Sequence, residues 1–263
     1  MRPPESDSKH ALIKTKRPKN LRLDQLLVQR DLADSTDVAA RLIMAGLVYV
    51  SGQKSDKPGM AFREDADIEV REVLPYVSRG GLKLAGALDY FPFDVAGGVA
   101  LDVGASTGGF TDVLLQRGAI RVYAVDVGHG QLHYKLQHDE RVINLEKTHV
   151  RLLSPELIPE SVDMLVMDTS FISLRKVLPP SWPFLRLGGW CVALIKPQFE
   201  VEPKYLDRGV VRDESLRKQV VEDMVAFVSG NLEGVHVEGV TESPIHGPKG
   251  NVEYLLGMTR AGS

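Results

Sequence analysis

Four ionisable residues stand where apolar runs stop. Asp168 closes VDMLVMD and Lys196 closes GGWCVALIK, while Asp102 and Asp126 fall near the ends of VALDV and RVYAVDV. Runs of this kind read as strands buried on both faces of a sheet. The residue that ends such a strand therefore points out at the sheet's edge, and in a parallel sheet ligands bind beyond the carboxyl ends. Between Asp102 and the next helical pattern lies GASTGGF, with glycines at 104, 108 and 109. Glycines there allow positive φ and a close approach to the main chain. Carboxylates and lysines at one edge suit proton abstraction and stabilisation of a developing charge.

The loop narrows the ligand. Its pattern is D-x-G-x-x-x-G-G. No Lys-Ser/Thr follows the last glycines, so it is not a phosphate loop, and its spacing differs from the dinucleotide fingerprint. An acid at its head would repel a pyrophosphate and welcome a cationic amino group, such as that of S-adenosylmethionine. Asp126, ending the next strand, lies where an acid accepts hydrogen bonds from ribose hydroxyls.

Other chemistries fit less well. Cys191 is the one cysteine and sits in the apolar run WCVALI, so it reads as an inert core thiol rather than a nucleophile. A lone cysteine also excludes an internal disulfide and fits a reducing compartment, so a cytoplasmic location is expected. His129 and His133 are four apart, with His138 beyond, but no neighbouring Glu or Cys completes a set and no metal site is expected. Phe171 offers either a stacking face for a base or a packing contact.

The elements that must hold these groups follow from periodicity. From VALDV onward, strand and helix patterns alternate, which means a doubly wound, mostly parallel α/β sheet. DESLRKQVVEDMVAFVSG is an amphipathic helix with Asp213 as its cap and Leu216, Val220, Met224, Phe227 and Val228 on one face. VHVEGVTESPI and NVEYLLGMTR, joined through HGPKG, read as an antiparallel edge hairpin. Ahead of this body, residues 20–72 form a small α+β unit. LRLDQLLVQRDL has helical spacing, DSTDVAARLIMAG has Asp34 or Ser35 as cap and Gly46 as stop, and DADIEVREV alternates like a half-buried strand. Residues 73–82 join it to a larger domain over 83–263. Residues 1–19 carry six Lys/Arg against Glu5 and Asp7 and read as a disordered basic tail. The chain has 263 residues and a net charge of −3, so composition does not announce a nucleic-acid binder. No apolar stretch approaches the roughly twenty residues of a membrane helix, and no membrane partner is expected.

The motifs taken together resemble a known family. D-x-G-A-S-T-G-G-F-T-D followed by V-Y-A-V-D-V-G-x-G-Q-L, with S-R-G-G-x-K-L at 78–84, S-F-I-S-L at 170–174, L-I-K-P-Q-F-E at 194–200, G-V-V-R-D at 209–213 and S-P-I-x-G-P-x-G-N-x-E at 243–253, is similar to the TlyA (hemolysin A) family of ribosomal RNA methyltransferases. The 20–72 unit is similar to the RNA-binding domain named after ribosomal protein S-four, and the remainder to FtsJ-like Rossmann methyltransferases. The resemblance implies transfer from S-adenosylmethionine to a ribose 2′-hydroxyl, of cytidine, in ribosomal RNA within assembled subunits. It implies a Lys-Asp-Lys-Glu set at Lys83, Asp168, Lys196 and Glu253. Cofactor contacts are then expected from Asp102, Gly104, Ala105, Ser106, Thr107, Gly108, Gly109, Phe110, Asp126, Val127, Glu146 and Asp168. His129 stands where the family has tyrosine, in a loop expected near the adenosine.

RNA contacts are expected from Arg22, Arg41, Lys54, Lys57 and Arg79, mostly to phosphates. Electrostatics give this less support, because residues 20–72 hold seven Lys/Arg against ten Asp/Glu, and Thr36 replaces a family arginine. The basic tail, Lys204 and Arg208 can compensate. Two alternatives are a non-catalytic RNA-binding assembly factor and a hemolysin-like membrane-active protein. The intact four-residue set argues against the first, and the lack of a strongly apolar amphipathic segment against the second. Sequence leaves the oligomeric state open.

Overall fold

The computed structural model describes residues 19–71 and 74–261, apart from the side chain of Pro248. The expected basic tail lies outside these residues except for Lys19, and so does Val73 of the expected junction. The chain divides into two compact units at Val73/Leu74.

In the first unit, β1 (Asn20–Arg22) leads into α1 (Leu23–Gln29), then α2 (Thr36–Met44), β2 (Val48–Val50), β3 (Gln53–Lys54), β4 (Ala61–Arg63) and β5 (Ile68–Val70). Leu23 and Leu27 of α1 and Ala39 and Ile43 of α2 pack against Val48 and Val50 as one small core. Ser35 rather than Asp34 caps α2, its hydroxyl accepting from the Val38 N–H. The helical spacing of LRLDQLL overruns at its start. Leu21 instead pairs with Phe62 in the β1–β4 ladder, because cross-strand pairing satisfies backbone groups that a helix's first turn leaves open.

The second unit runs α3 (Gly80–Tyr90), β6 (Val99–Val103), α4 (Gly109–Gln116), β7 (Arg121–Val125), α5 (Tyr134–Gln137), β8 (Val142–Leu145), β9 (Val162–Met167), α6 (Leu174–Ser181), β10 (Leu185–Ile195), α7 (Glu214–Asn231), β11 (Val235–Glu242) and β12 (Tyr254–Arg260). Its seven-stranded sheet has the order β11-β12-β10-β9-β6-β7-β8. The five strands from β10 to β8 are parallel, and β12 runs antiparallel between β10 and β11. Alternate residues feed two cores. Leu101, Leu165 and Cys191 face α6 and α7 on one side; Ala100, Met164 and Val192 face α3 and α4 on the other. Burial on both faces explains the unbroken apolar runs. Asp213 caps α7 through the Ser215 and Leu216 N–H groups, and Val220, Met224 and Val228 form its buried stripe. The helix expected in QLHYKLQHD is a single turn, capped by His133. Gly80–Leu82, read as part of the junction, form the first turn of α3.

One close approach shapes the edge of the sheet. The N-termini of α3 and α4 meet so tightly that a Cβ on Gly109 would overlap Ser78 Oγ and lie 2.8 Å from the Gly81 nitrogen. Gly81 in turn lies against Tyr76, 2.6 Å from its ring carbons for a built Cβ. The SRGG and STGG stretches thus face each other across Gly109, while Gly81 makes room for Tyr76. Gly109→Ala is expected to destabilise the unit by about 1–3 kcal/mol, the usual cost of overpacking. Equilibrium denaturation of the variant checks this.

Candidate active site

Chain direction opens a crevice at the carboxyl ends of β6 and β9. After β6 the chain passes through α4 on one face, and after β9 through α6 on the other. Adjacent parallel strands whose connections leave to opposite faces make the switch point where α/β sheets bind ligands. The two strands stay hydrogen-bonded to their ends, with the Asp168 N–H donating to the Val103 carbonyl at 3.2 Å.

Four charged side chains from four elements converge there. Lys83 comes from α3, Asp168 and Lys196 follow β9 and β10, and Glu253 precedes β12. Lys83 Nζ lies 2.6 Å from Glu253 Oε2 and 3.8 Å from Asp168 Oδ2. Lys196 Nζ lies 2.6 Å from Asp168 Oδ1 and donates a hydrogen bond to Ser170 Oγ at 2.8 Å. Glu253 is fully buried, while Lys83 and Lys196 are each 6% exposed. The second oxygen of Glu253 accepts from Gln198 Nε2 at 3.2 Å. A Cβ on Gly247 would overlap that carboxylate, so the turn needs glycine there. Asn251 ties two loops beside it, accepting from the Val211 N–H and donating to the Gly209 carbonyl. Glu200 of the same KPQFE stretch is structural. It accepts from the Ser173 hydroxyl and the Leu174 N–H at the start of α6, and burial pushes its carboxyl up.

Two adjoining cavities open on this edge. One of about 720 Å³ is lined by Lys83, Asp168 and Lys196 on its floor, by Gly104, Ala105, Ser106, Thr107, Gly109 and Phe110 of the loop, and by Arg79, His246 and Lys249 at its sides. The other, of about 420 Å³, is lined by Asp126, Val127, Thr148, His149, Thr169 and Phe171 among others. Gly104, Ser106, Asp168 and Ser170 belong to both. Asp126 spans two loops, its oxygens accepting from the Ser106 N–H at 2.8 Å and the Gly128 N–H at 2.7 Å. Each oxygen keeps a lone pair for a further donor. Phe171 is 91% exposed with φ +63°, its ring centroid 5.2 Å from that of Phe199, so it is no core residue.

Several expected cofactor residues stand elsewhere. Asp102 lines neither cavity. It is fully buried under the loop, and its Oδ2 accepts from Thr111 Oγ1 at 2.6 Å. Burial holds its carboxyl up at about 7, despite the Thr111 hydrogen bond. Gly108 is the left-handed cap of α4, φ +92°, and a Cβ there would overlap Leu136. Even Gly104, φ +85°, is pressed by the protein itself: a Cβ would lie 3.0 Å from the Asp168 carbonyl oxygen. The glycines answer to the packing of strand ends and helix N-termini as much as to any ligand. Glu146 also stands outside both linings. It accepts from the Gly130 N–H at 3.0 Å and lies 2.9 Å from His129 Nδ1, and these partners pull its carboxyl down to about 2. It is the acidic neighbour of His129 that sequence spacing did not reveal. Among the described residues no three His, Cys, Asp or Glu side chains form a metal-holding group.

The expected RNA-contacting residues differ in availability. Arg22 is held by Asp24 in a two-pronged pair, with distances of 3.1 and 2.6 Å. Arg41, Lys54 and Lys57 are exposed on the first unit, and Arg79 is exposed at the larger cavity. Cys191 is fully buried, and burial pushes its thiol well up, as an inert core residue requires. Among the described residues no helix is long and apolar enough to cross a membrane.

The FtsJ-like methyltransferase family matches residues 76–260, and the S4 domain family matches residues 21–68. The chain is 48% identical over 238 residues to the 16S/23S rRNA (cytidine-2′-O)-methyltransferase TlyA of Mycobacterium tuberculosis, covering 89% of this chain and 88% of that one. It is 39% identical to Hemolysin A of Brachyspira hyodysenteriae, covering 89% and 98%. A solved structure from Streptococcus thermophilus, named for a hemolysin, is 41% identical and superposes with a TM-score of 0.71, covering 94% of this chain and 90% of that one.

The buried Asp102 has a pH signature. A carboxyl raised in the folded state binds its proton more tightly there than in the unfolded chain, whose value is about 3.9. Its contribution to stability is therefore most favourable below about pH 4 and is lost as pH rises towards about 7. Asp102→Asn, which keeps an acceptor for Thr111, removes this dependence. The variant's stability relative to the parent is expected to be greater at pH 8 than at pH 4.5, as urea denaturation at both values would measure.

Proposed function

The chain belongs to the FtsJ-like methyltransferase family, and from that premise we propose that it transfers a methyl group to a ribose 2′-hydroxyl of cytidine in ribosomal RNA, within assembled subunits. The observation that carries this is the convergence of Lys83, Asp168 and Lys196 on the floor of a cavity, with Glu253 buried behind Lys83, beside a second, nucleoside-sized cavity.

The methyl donor of this family is S-adenosylmethionine. The residues present fit it. The smaller cavity has apolar walls in Val103, Val125, Ile172 and Val177 for a base, and the Asp126 carboxylate for ribose hydroxyls. Thr169 Oγ1 is buried there without a partner, as is Asp102 Oδ1 beneath the loop. The loop Gly104–Phe110, of which Gly104 and Ser106 line both cavities, would hold the methionine portion where the two spaces join. Val127 would border the adenosine, while Asp102, Gly108 and Glu146 would support the loops from behind.

When bound, the donor supplies a methyl group activated by positive sulfur, which takes the bonding electrons as the methyl leaves. Lys196 is the base, its nitrogen receiving the 2′-hydroxyl proton as the oxygen gains the methyl. Asp168 holds Lys196 by charge. Lys83, fixed by Glu253, stands within reach to steady the developing oxyanion. Orienting these groups in advance lowers the barrier by holding the reacting atoms in an attack geometry.

Charge supports an RNA substrate. Two lysines and two carboxylates leave the floor neutral overall. The sides of the larger cavity carry Arg79 and Lys249, neither of which has an ion-pair partner among the described residues. Phosphates flanking the reacting nucleotide would meet positive charge outside a neutral centre. Phe171 offers an exposed ring beside it. The S4 domain would add contacts through Arg41, Lys54 and Lys57, with Arg22 restrained by Asp24. Ribosomal RNA as substrate and a buried free cysteine support a cytoplasmic location, and the family matches support a boundary between the domains near residues 69–75.

Lys196→Ala is expected to bind S-adenosylmethionine like the parent and to lose transfer to ribosomal subunits by about 100-fold or more. Labelled-methyl incorporation beside calorimetry checks both, and retained transfer would remove Lys196 from its role. Arg79→Glu and Lys249→Glu are expected to raise KM for RNA with little change in kcat. Each should also flatten the dependence of log affinity on log salt by about one.

A further inference from the structure

Two groups hold the Lys196 amine. Asp168 Oδ1 lies 2.6 Å from it, and Ser170 Oγ accepts a hydrogen bond from it at 2.8 Å. One contact leaves an amine free to turn about its terminal bond, and a second contact to a different group restricts that rotation. Ser170 lines both cavities, so its hydroxyl sits at the joint between the donor's space and the floor where the ribose would lie.

From this we infer that Ser170 is a positioning residue for the transfer, its hydroxyl aiming the Lys196 amine at the ribose hydroxyl. The inference rests on Lys196 being the base. To act as base the amine must first have given up a proton, and it then keeps two N–H groups and one lone pair. With one N–H fixed on Ser170 Oγ and the other drawn to Asp168, the lone pair is left for the larger cavity. The ribose O–H proton then passes along that direction to Nζ, and the oxygen takes the methyl group. Without the hydroxyl, Lys196 stays buried beside Asp168 but turns about its terminal bond, and the productive orientation becomes one of several. Such a loss acts on the chemical step and leaves binding of both substrates alone.

Chain geometry gives Ser170 little other work. It is exposed, it caps no helix, and the start of α6 is served by Ser173 and Glu200. Its next neighbour, Phe171, has φ +63°, a conformation that turns the chain sharply after the hydroxyl.

The test compares the parent, Ser170→Ala, Ser170→Thr and Lys196→Ala on ribosomal subunits, with kcat and KM from labelled-methyl transfer and affinity for S-adenosylhomocysteine by calorimetry. Ser170→Ala is expected to lower kcat by roughly 10-fold or more, with KM and cofactor affinity within about twofold of the parent. Ser170→Thr, which keeps the hydroxyl, is expected to recover most of that loss. A kcat for Ser170→Ala within twofold of the parent would overturn the inference. So would a loss confined to cofactor affinity, or an equal loss in the alanine and threonine variants. Lys196→Ala separates the levels: if it retains transfer, the assignment of the base fails, whatever Ser170 does.

Discussion

Holding two buried lysines, a buried carboxylate and a half-buried one in one place is the constraint around which this edge of the molecule is built. A buried charge without a partner costs several kcal/mol, and removing one member of a pair leaves the other stranded. Lys83–Glu253 and Lys196–Asp168 solve this by arriving together from α3, β9, β10 and the start of β12. Their meeting requires the sheet order observed, in which β12 turns back between β10 and β11 and brings Glu253 to the carboxyl ends of the parallel strands. It also requires Gly247, whose missing side chain is the space Glu253 fills, and Gln198, which occupies the second carboxylate oxygen. The pairs do more than balance. Their formal charges cancel on the floor, while Arg79 and Lys249 stand at the sides, where an anionic chain would pass.

Around that centre, close packing of main chains replaces side chains with glycine. α3 and α4 begin within contact of each other, and Gly109 is the residue that permits it, while Gly81 leaves room for Tyr76. The loop after β6 is therefore rigid from below. Its underside is fixed by Asp102 on Thr111 and by the strand end at Asp168, and its outer turn by Asp126 on the Ser106 N–H. Asp126 also holds the Gly128 turn, so a single carboxylate sets two loops that border the nucleoside-sized cavity. A site preorganised in this way needs little rearrangement when substrates arrive.

Much of the larger unit was legible from residue patterns, for physical reasons that can be named. Strands buried on both faces write themselves as unbroken apolar runs, so the ends of β9 and β10, and with them Asp168 and Lys196, could be placed. The Asp213 cap and the stripe through Val220, Met224 and Val228 follow from helical geometry alone. Partners across the fold were not legible. Lys83 and Glu253 are 170 positions apart, and only their motifs linked them. Asp102 was read as a charge offered to a ligand, but an acid one residue before a strand's end alternates inward, and here it lies under α4. The glycines announced a close approach without saying to what, and the structure answers with the protein's own backbone. Glu146 and His129 meet because β8 lies beside β7, which spacing along the chain does not encode. The QLHYKLQHD stretch shows the opposite limit, where helical spacing survives for only one turn.

The central claim is that this floor deprotonates a ribose hydroxyl rather than any position on a base. The most direct measurement is nucleoside mass spectrometry of ribosomal RNA methylated by the purified protein on subunits from cells that lack it. The account predicts one new species, 2′-O-methylcytidine, in which the added mass stays with the ribose when the glycosidic bond breaks. Added mass that departs with the base would contradict it, and the paired lysines would then need another explanation.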